Sequence, residues 1–233
     1  MGLRTMLGLK KPGNAPLRLD AAPKFNAVTE QFGKVNYMRS RQADFARCLI
    51  LEHNLTSLLE LGFYQGKSTA YLAAILEDRG GPGQITAIDK RKGTLPTPSI
   101  HDILDALALS HRATVIVEER SFTMALLAML EANPQPQFDF CYFDGAHNWD
   151  GTGFAFLLVD KLLRPGGWVV FDDLDWTMAN SPGGGQAYAK YPERERAMKQ
   201  VRKVWEILVP DAGYVNCSET SFGWGVAQKP MRP

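Results

Sequence analysis

The sequence predicts an α/β protein built on a doubly wound, mostly parallel sheet. Apolar runs and amphipathic segments alternate five times between residues 57 and 172. Buried apolar strands separated by amphipathic helices are typical of a parallel sheet with helices on both faces. Most of the apolar runs end in acidic residues, and ligands of open parallel sheets bind outside the carboxyl ends of the strands. We therefore expect the functional site at these strand ends.

Composition places the chain among ordinary globular proteins. It has 233 residues, of which 45% are hydrophobic, and a formal net charge of +1, so its charge does not indicate nucleic acid or an anionic membrane as a partner. No apolar run reaches the roughly 20 residues that span a bilayer, and the N-terminal apolar stretch is too short and broken for a signal peptide. Three scattered cysteines without a C-x-x-C pair argue against a disulfide framework or a zinc cluster and indicate a cytoplasmic protein.

The N-terminal part of the chain lacks clear periodicity. Residues 1–39 are predicted to form an arm or lid segment, and residues 40–233 a single domain. For the first 24 residues, a poorly ordered terminus and a docked lid are equal alternatives. A short helix is expected within Phe25–Tyr37. A longer helix is predicted over Ser40–Asn54, because apolar residues recur there at helical spacing after a serine that can cap the helix.

The alternating elements then follow in order. Strands are predicted at Ser57–Gly62, Gln84–Asp89, Thr114–Val117, Phe138–Phe143 and Trp168–Asp172. Helices are predicted at Gly66–Leu76, Ser99–Leu109, Phe122–Leu130 and Gly151–Leu163. Apolar and β-branched residues mark the strands, and glycine and proline mark the turns between the elements.

The pattern changes after the fifth strand. A loop is predicted over Trp176–Tyr191, and its length is typical of lids and binding loops, with a plain flexible insertion as the alternative. A long helix is predicted at Glu193–Leu208. The last two apolar runs, Tyr214–Cys217 and Trp224–Ala227, are expected to pair as an antiparallel hairpin.

A glycine-rich turn follows the first strand. Gly62 and Gly66 come two and six residues after Glu60. Gly62 would let the backbone turn sharply, and Gly66 would let a ligand approach the start of the next helix. The spacing differs from the G-x-G-x-x-G of dinucleotide-binding proteins, and Leu61 stands where a P-loop requires glycine. The alternative is that both glycines serve only the turn.

Asp89 ends the second strand. An acid at this place can accept hydrogen bonds from both hydroxyls of a ribose. A helix cap or a surface carboxylate would also explain it. The basic run Lys90–Lys92 follows, and we interpret it as a solvated turn rather than as a site for a 2′-phosphate.

Three acids and a histidine follow the fourth and fifth strands. Asp144 ends the fourth strand, His147 comes three residues later, and Asp172 and Asp173 end the fifth strand. Carboxylates that meet at adjacent strand ends repel one another unless a cation lies among them. Because oxygen ligands suit Mg²⁺, the pattern predicts a site for magnesium or another divalent cation, with capping and solvation of a strand end as the alternative.

Together these motifs resemble the class I S-adenosylmethionine-dependent methyltransferases over about residues 55–229. The motifs Tyr142–His147 and Leu163–Asp173 are similar to those of the metal-dependent small-molecule O-methyltransferases, namely the catechol-type enzymes and the enzymes that methylate antibiotic sugars. The resemblance implies a Rossmann-like seven-stranded sheet in the order 3-2-1-4-5-7-6, with an antiparallel last strand. Asp173 favours the sugar type, because catechol-type enzymes have asparagine at that position.

The resemblance also implies a cofactor site. The residues that would contact S-adenosylmethionine are Glu60, Gly62, Gly66, Ser68, Asp89, Ser121 and Asp144. In this assignment Ser68 lies near the methionine carboxylate at the N-terminus of a helix, which favours an anion. Ser121 borders the adenine, although Glu119 stands where many relatives have a small residue.

The resemblance further implies the chemistry at the later motifs. Asp144, Asp172 and Asp173 match the metal ligands of the family. His147 stands where catechol-type enzymes have the lysine that removes the substrate proton, so His147 is predicted to be the catalytic base, assisted by Asp144 and its metal. A hydrogen bond within the loop and metal ligation are the alternatives for His147.

The sequence therefore predicts an O-methyltransferase that acts on a hydroxyl of a small molecule, a sugar, polyol or phenol. One alternative is a nicotinamide-dependent oxidoreductase, which the missing G-x-G-x-x-G and the terminal hairpin oppose. The other is a non-catalytic binder of S-adenosylmethionine, or a relative described as a hydroxylase. No nucleic acid or membrane partner is expected, and the oligomeric state stays open, with a homodimer among the options.

Overall fold

The computed structural model describes residues 22–90, 97–181 and 187–231, and the structural statements below refer to these residues. Most of the predicted N-terminal arm, the end of the basic run at Arg91–Lys92 and the glycines of the run Gly183–Gly185 lie outside the described residues. Within the described ranges, no helix combines the length and the apolar composition that crossing a membrane requires.

Seven strands form one sheet. Their bounds are β1 Ser57–Leu61, β2 Gln84–Lys90, β3 Ala113–Glu118, β4 Phe138–Phe143, β5 Leu163–Phe171, β6 Val215–Glu219 and β7 Gly225–Gln228. The order across the sheet is β3-β2-β1-β4-β5-β7-β6. Strands β1 to β5 pair in parallel, and β7 pairs antiparallel with both β5 and β6. The predicted fold class and strand order are confirmed, including the antiparallel last strand.

Helices cover both faces of the sheet. Their bounds are α1 Pro23–Phe32, α2 Ser40–Glu52, α3 Lys67–Arg79, α4 Ile100–Ala106, α5 Thr123–Glu131, α6 Trp149–Leu162, α7 Glu193–Ala197, α8 Gln200–Lys203 and α9 Val209–Asp211. A π-helical turn, Val204–Leu208, joins α8 to α9.

Two hydrophobic clusters, one on each face of the sheet, hold the helices in place. Phe140 and Tyr142 of β4 belong to the cluster that includes α1 to α4, and Cys141 and Phe143 belong to the cluster that includes α5, α6 and α8. This alternation follows because successive side chains of a strand point to opposite faces of the sheet. Each large apolar side chain buried in this way contributes about 1.5–3 kcal/mol.

Helix α1 shares the core of the domain. Phe25 is buried, and the carboxylate of Asp78 in α3 accepts hydrogen bonds from the N–H groups of Lys24 and Phe25 at 2.9 and 2.8 Å. These N–H groups have no partner within their own helix, so Asp78 ties the start of α1 to α3. A short helix was expected within Phe25–Tyr37, and α1 begins two residues before this range and ends at Phe32. The division predicted between residues 39 and 40 stays a prediction.

The predicted helix Glu193–Leu208 is broken into shorter pieces. The extended backbone of Met198 (φ −76°, ψ 133°) separates α7 from α8. The break buries the side chain of Gln200, which donates to the Glu195 carbonyl at 3.0 Å and accepts from the Trp149 N–H at 2.7 Å. The helical periodicity was misleading here, because these tertiary hydrogen bonds to α6 and α7 favour the break.

Gly62 and Gly145 approach closely at the ends of β1 and β4. Gly62 has a φ of +94°, and a Cβ atom built on it would lie 2.4 Å from the Gly145 Cα and 2.5 Å from the Asp144 carbonyl oxygen. No side chain fits at such distances. Gly62 therefore allows both the sharp turn after β1 and the placement of Asp144 beside it.

Gly66 makes a different contact from the expected one. Gly66 precedes α3 and has a φ of +94°. A Cβ atom built on it would lie 2.4 Å from the Ile100 Cγ1. Gly66 thus allows α3 to pack against α4, and the Cβ space is not open to a ligand. A contact between Gly66 and the cofactor stays a prediction, and the backbone of Gly66 would have to make it.

We expect Gly62→Ala to lower the free energy of unfolding by more than about 3 kcal/mol, because a left-handed backbone and a backbone clash add together. Gly213→Ala is the matched control: it also has a positive φ, +75°, but no heavy atom lies within 4 Å of a Cβ built there. It should cost only about 1–2 kcal/mol. Urea unfolding measures both losses, and equal losses would contradict the tight contact at Gly62.

Candidate active site

Asp89, near the carboxyl end of β2, is tied to the glycine turn. Its Oδ2 accepts hydrogen bonds from the N–H groups of Phe63 at 3.1 Å and Tyr64 at 2.7 Å, and its Oδ1 accepts one from the Lys90 N–H at 2.7 Å. Asp89 therefore orders the turn, and its hydrogen bonds with the ribose hydroxyls stay a prediction.

Glu60 lies fully buried in β1, below the glycine turn. The hydroxyl of Thr69, in the first turn of α3, donates a hydrogen bond to its Oε2, and Ser68 is buried at the same helix start. Its Oε1 has no hydrogen-bond partner among the described residues. Burial raises the pKa of Glu60 to about 7, and the negative charge of Asp89 adds to the shift. A buried carboxyl with an unpaired oxygen fits a polar or cationic ligand at the turn.

Three carboxylates meet at the ends of β4 and β5. The Asp144 N–H donates to the Leu61 carbonyl at 2.9 Å, and the Asp172 N–H donates to the Phe143 carbonyl at 2.9 Å. The hydrogen bonds of the sheet thus continue one residue beyond the strands and fix both acids. Asp173 comes next and has a φ of +56°, a left-handed backbone that is uncommon outside glycine.

Tyr142 supplies a hydrogen bond that the sequence analysis missed. Its hydroxyl donates to the Asp172 Oδ2 and lies 3.4 Å from the Asp144 Oδ2. Tyr142 comes two residues before Asp144, and side chains two apart in a strand point to the same face. This spacing is the feature of the sequence that would have identified it.

Burial and mutual repulsion raise the pKa values of Asp144 and Asp172. For Asp144, burial is the largest cause of the raised pKa, and the negative charges of Asp172 and Asp173 come next. For Asp172, burial again comes first, followed by the charge of Asp173. A cation among like charges favours their ionised forms, so the set of donors fits a divalent cation.

His147 joins this cluster from the loop after β4. Its Nε2 lies 2.9 Å from the Asp173 Oδ2 and 4.0 Å from the Asp144 Oδ1. Ligand atoms of Asp144, His147 and Asp173 all lie within 4.8 Å of one another, a spacing that one metal ion can span. The structure thus groups His147 with Asp144 and Asp173, whereas the Asp172 carboxylate is directed toward the Tyr142 hydroxyl.

The first of two cavities at this edge of the sheet has a volume of about 500 Å³, within the range of about 300–1,000 Å³ of small-molecule sites. It brings together Asp89, Ser121 and His147, which are far apart in the sequence. The ring of Trp176 packs on the imidazole of His147 with a centroid distance of 4.8 Å, and Tyr188 packs edge-on against Trp176 at 5.9 Å. These aromatic rings form a wall of the cavity.

The second cavity, of about 600 Å³, is lined by the three acids, by residues 37–39, 41 and 42, and by Ser221 and Phe222. The structure therefore brings all the predicted residues to one edge of the sheet, in two adjacent cavities and the turn beside them. The contribution of the N-terminal segment was not predicted in detail. The individual roles of the predicted residues stay predictions.

Comparison with known proteins identifies the domain. Residues 59–174 match a family model described as a methyltransferase domain. This range contains the glycine turn, Asp89 and the whole acid cluster, so the match favours methyl transfer over the nicotinamide-dependent alternative. A search of curated proteins finds none that matches the chain.

Solved methyltransferase structures share the fold. The O-methyltransferase TomG from Streptomyces achromogenes, in complex with S-adenosylmethionine, is 20% identical, with 91% of each chain covered and a TM-score of 0.58. An O-methyltransferase from Bacillus cereus, in complex with S-adenosylhomocysteine, is 17% identical, with 91% of this chain and 92% of that chain covered and a TM-score of 0.58.

A third structure contains a metal. MycE, a methyltransferase of the mycinamycin biosynthetic pathway in complex with Mg, S-adenosylhomocysteine and mycinamycin VI, is 18% identical, and the TM-score is 0.56. The alignment covers 90% of this chain and 56% of MycE. At sequence identities of 17–20%, the similarity to these three structures shows a shared fold.

We expect Asp144→Asn to stabilise the protein at neutral pH when a chelator is present. The raised pKa means that the folded chain holds an ionised Asp144 less well than the unfolded chain does. Its ionisation therefore lowers stability as the pH rises above the ordinary carboxyl pKa, until the raised folded pKa is passed. The substitution removes this loss, so its benefit in thermal unfolding should grow as the pH rises above about 4, the ordinary carboxyl pKa.

Asp211→Asn is the control for this experiment, because it removes one negative charge from an exposed residue at the end of α9. It should change the melting temperature little at any pH. A benefit of Asp144→Asn that does not depend on pH, or a loss of stability, would show that repulsion in the acid cluster is not the cause.

Proposed function

We propose that this chain, a class I S-adenosylmethionine-dependent methyltransferase, methylates a hydroxyl of a small molecule, a sugar, polyol or phenol, with the help of Mg²⁺ or another divalent cation. The observation that carries the proposal is the convergence of three acids and His147 beside a cavity that also contains Asp89. Acids that repel one another in a partly buried cluster weaken the fold when they are ionised, which supports a functional role for the cluster.

The cofactor site is proposed along the turn between β1 and α3. No side chain of the described residues caps the start of α3, so the N–H groups of Lys67 and Ser68 in its first turn are the proposed donors to the carboxylate of the methionine part. Asp89 would accept hydrogen bonds from the ribose, and Ser121 would border the adenine in the first cavity. Glu60 offers an unpaired buried oxygen below the same turn.

The acid cluster is proposed to hold the metal and to orient the base. Asp144, Asp172 and Asp173 are the proposed metal ligands. His147 is the proposed base, and its Nε2 lies 2.9 Å from the Asp173 Oδ2. If this nitrogen donates its hydrogen to Asp173, the Nδ1 atom is left to accept the proton of the acceptor hydroxyl.

When bound, a divalent cation would acidify the acceptor hydroxyl and S-adenosylmethionine would supply the methyl group. The protein's own residues would contribute mainly position and electrostatics. The Tyr142 hydroxyl fixes the Asp172 carboxylate by a hydrogen bond, and Trp176 packs on the imidazole of His147. These contacts limit the orientations of both groups before any ligand binds.

The direct test measures transfer of a radiolabelled methyl group from S-adenosylmethionine to a panel of sugars, polyols and phenols. We expect transfer that stops when a chelator is added and returns with Mg²⁺, because the acids need a cation to hold the acceptor. Activity that survives thorough chelation would remove the metal from the proposal. Absence of transfer to every acceptor, with the cofactor bound, would favour a non-catalytic binder.

A second test separates two of the roles considered for His147, catalytic base and metal ligand. We expect His147→Asn to lower kcat by about a hundredfold, the ordinary contribution of a general base, and to flatten the acidic limb of the pH–rate profile. The affinity for Mg²⁺, measured by calorimetry, should stay within about threefold, since three carboxylates remain. A parallel loss of Mg²⁺ affinity would instead identify His147 as a metal ligand.

A further inference from the structure

The second cavity contains positive charges that the proposed chemistry does not use. Arg39 and Arg41, from the N-cap and first turn of α2, line it together with Asp144, Asp172 and Asp173. Among the described residues, no ion pair joins these acids to either arginine, and the ion pairs of Asp144 and Asp173 are with His147. The cations therefore share the cavity with the acids across open space of about 600 Å³.

Arg41 is held in position by the turn between β6 and β7. Its Nη2 donates a hydrogen bond to the Ser221 Oγ at 3.0 Å, and its guanidinium carbon lies 5.7 Å from the centre of the Phe222 ring. A guanidinium has five N–H donors in a planar fork, and the bond to Ser221 uses one of them. An arginine that is already positioned loses less conformational freedom when it binds a ligand.

The charges that line the second cavity determine which acceptors it favours. Three carboxylates and two guanidiniums have a formal sum of −1, and a divalent cation among the acids would change the sum to +1. A cavity with a net positive charge favours an acceptor that has an anionic group and disfavours a cationic acceptor. Planar guanidinium forks match carboxylate and phosphate oxygens in particular.

We infer that the second cavity is the acceptor site, and that the acceptor carries a carboxylate or phosphate group that Arg39 and Arg41 bind while its hydroxyl lies at the acid cluster. The inference rests on the proposed function and narrows its substrate class from small hydroxyl compounds to hydroxylated anions. It also gives the segment between α1 and α2 a role in substrate selection.

The test is a binding experiment, so it does not depend on turnover. Calorimetry with Mg²⁺ and S-adenosylhomocysteine present would compare glucose with glucuronate and glucose 6-phosphate, and catechol with 3,4-dihydroxybenzoate. We expect at least one anion to bind about tenfold or more tightly than its neutral parent, the size expected of a charge-assisted hydrogen bond. The preferred probe distinguishes a carboxylate from a phosphate.

Variants then assign the preference to the two arginines. Arg41→Gln and Arg39→Gln should each reduce the ratio of anion to neutral affinity by about tenfold or more. Arg41→Lys, which keeps the charge and loses the fork, should give an intermediate ratio. Lys161→Gln, which removes an exposed positive charge from α6, is the control and should leave the ratio unchanged.

The outcomes separate the inference from the proposed function. Anions that bind no better than their neutral parents, or a preference that survives both Arg39→Gln and Arg41→Gln, would overturn the inference. Methyl transfer to neutral acceptors in the same preparation would then leave the proposed function intact. Anion binding that depends on both arginines, without transfer to any acceptor, would support the anion site and contradict the proposed function.

Discussion

The repulsion among Asp144, Asp172 and Asp173 is the constraint on which the arrangement of this edge of the sheet depends. Partial burial makes the repulsion stronger, because water screens the charges less than it would at an open surface. The fold resists it with backbone hydrogen bonds that extend the sheet past the strand ends, from the Asp144 N–H to Leu61 and from the Asp172 N–H to Phe143. The acids are held close to one another in spite of this repulsion, which is typical of a site formed for a ligand.

The order of the strands explains why this edge can hold a cofactor and an acceptor together. Strand β1 lies between β2 and β4, so the glycine turn after β1 lies between Asp89 on one side and Asp144 on the other. The contact of Gly62 with Gly145 removes the side-chain bulk that would otherwise separate the ends of β1 and β4. Two cavities can therefore open beside each other, one containing Asp89 and the other containing the acid cluster.

The sheet and the acids could be predicted from the sequence, because apolar strands and terminal acids are local patterns and their order along the chain resembles a known family. The break at Met198 could not be predicted from the sequence, since it depends on hydrogen bonds that Gln200 makes with α6 and α7. The orientation of the Asp172 carboxylate toward the Tyr142 hydroxyl is likewise a tertiary feature. No sequence pattern indicated a role for Arg41, because it comes close to the acids only when α2 packs beside the hairpin of β6 and β7.

The segment between α1 and α2 is joined to the glycine turn by two contacts. The Lys67 ammonium at the start of α3 donates to the Val35 carbonyl, and the Tyr37 ring packs edge-on against Tyr64 of the turn with a centroid distance of 5.0 Å. A ligand that orders the turn would therefore also restrict this segment, and thermodynamic linkage requires the reverse effect to be equal. Ligands in the two cavities would then bind with positive cooperativity. Binding of the first ligand would already have ordered part of the chain that the second ligand has to order.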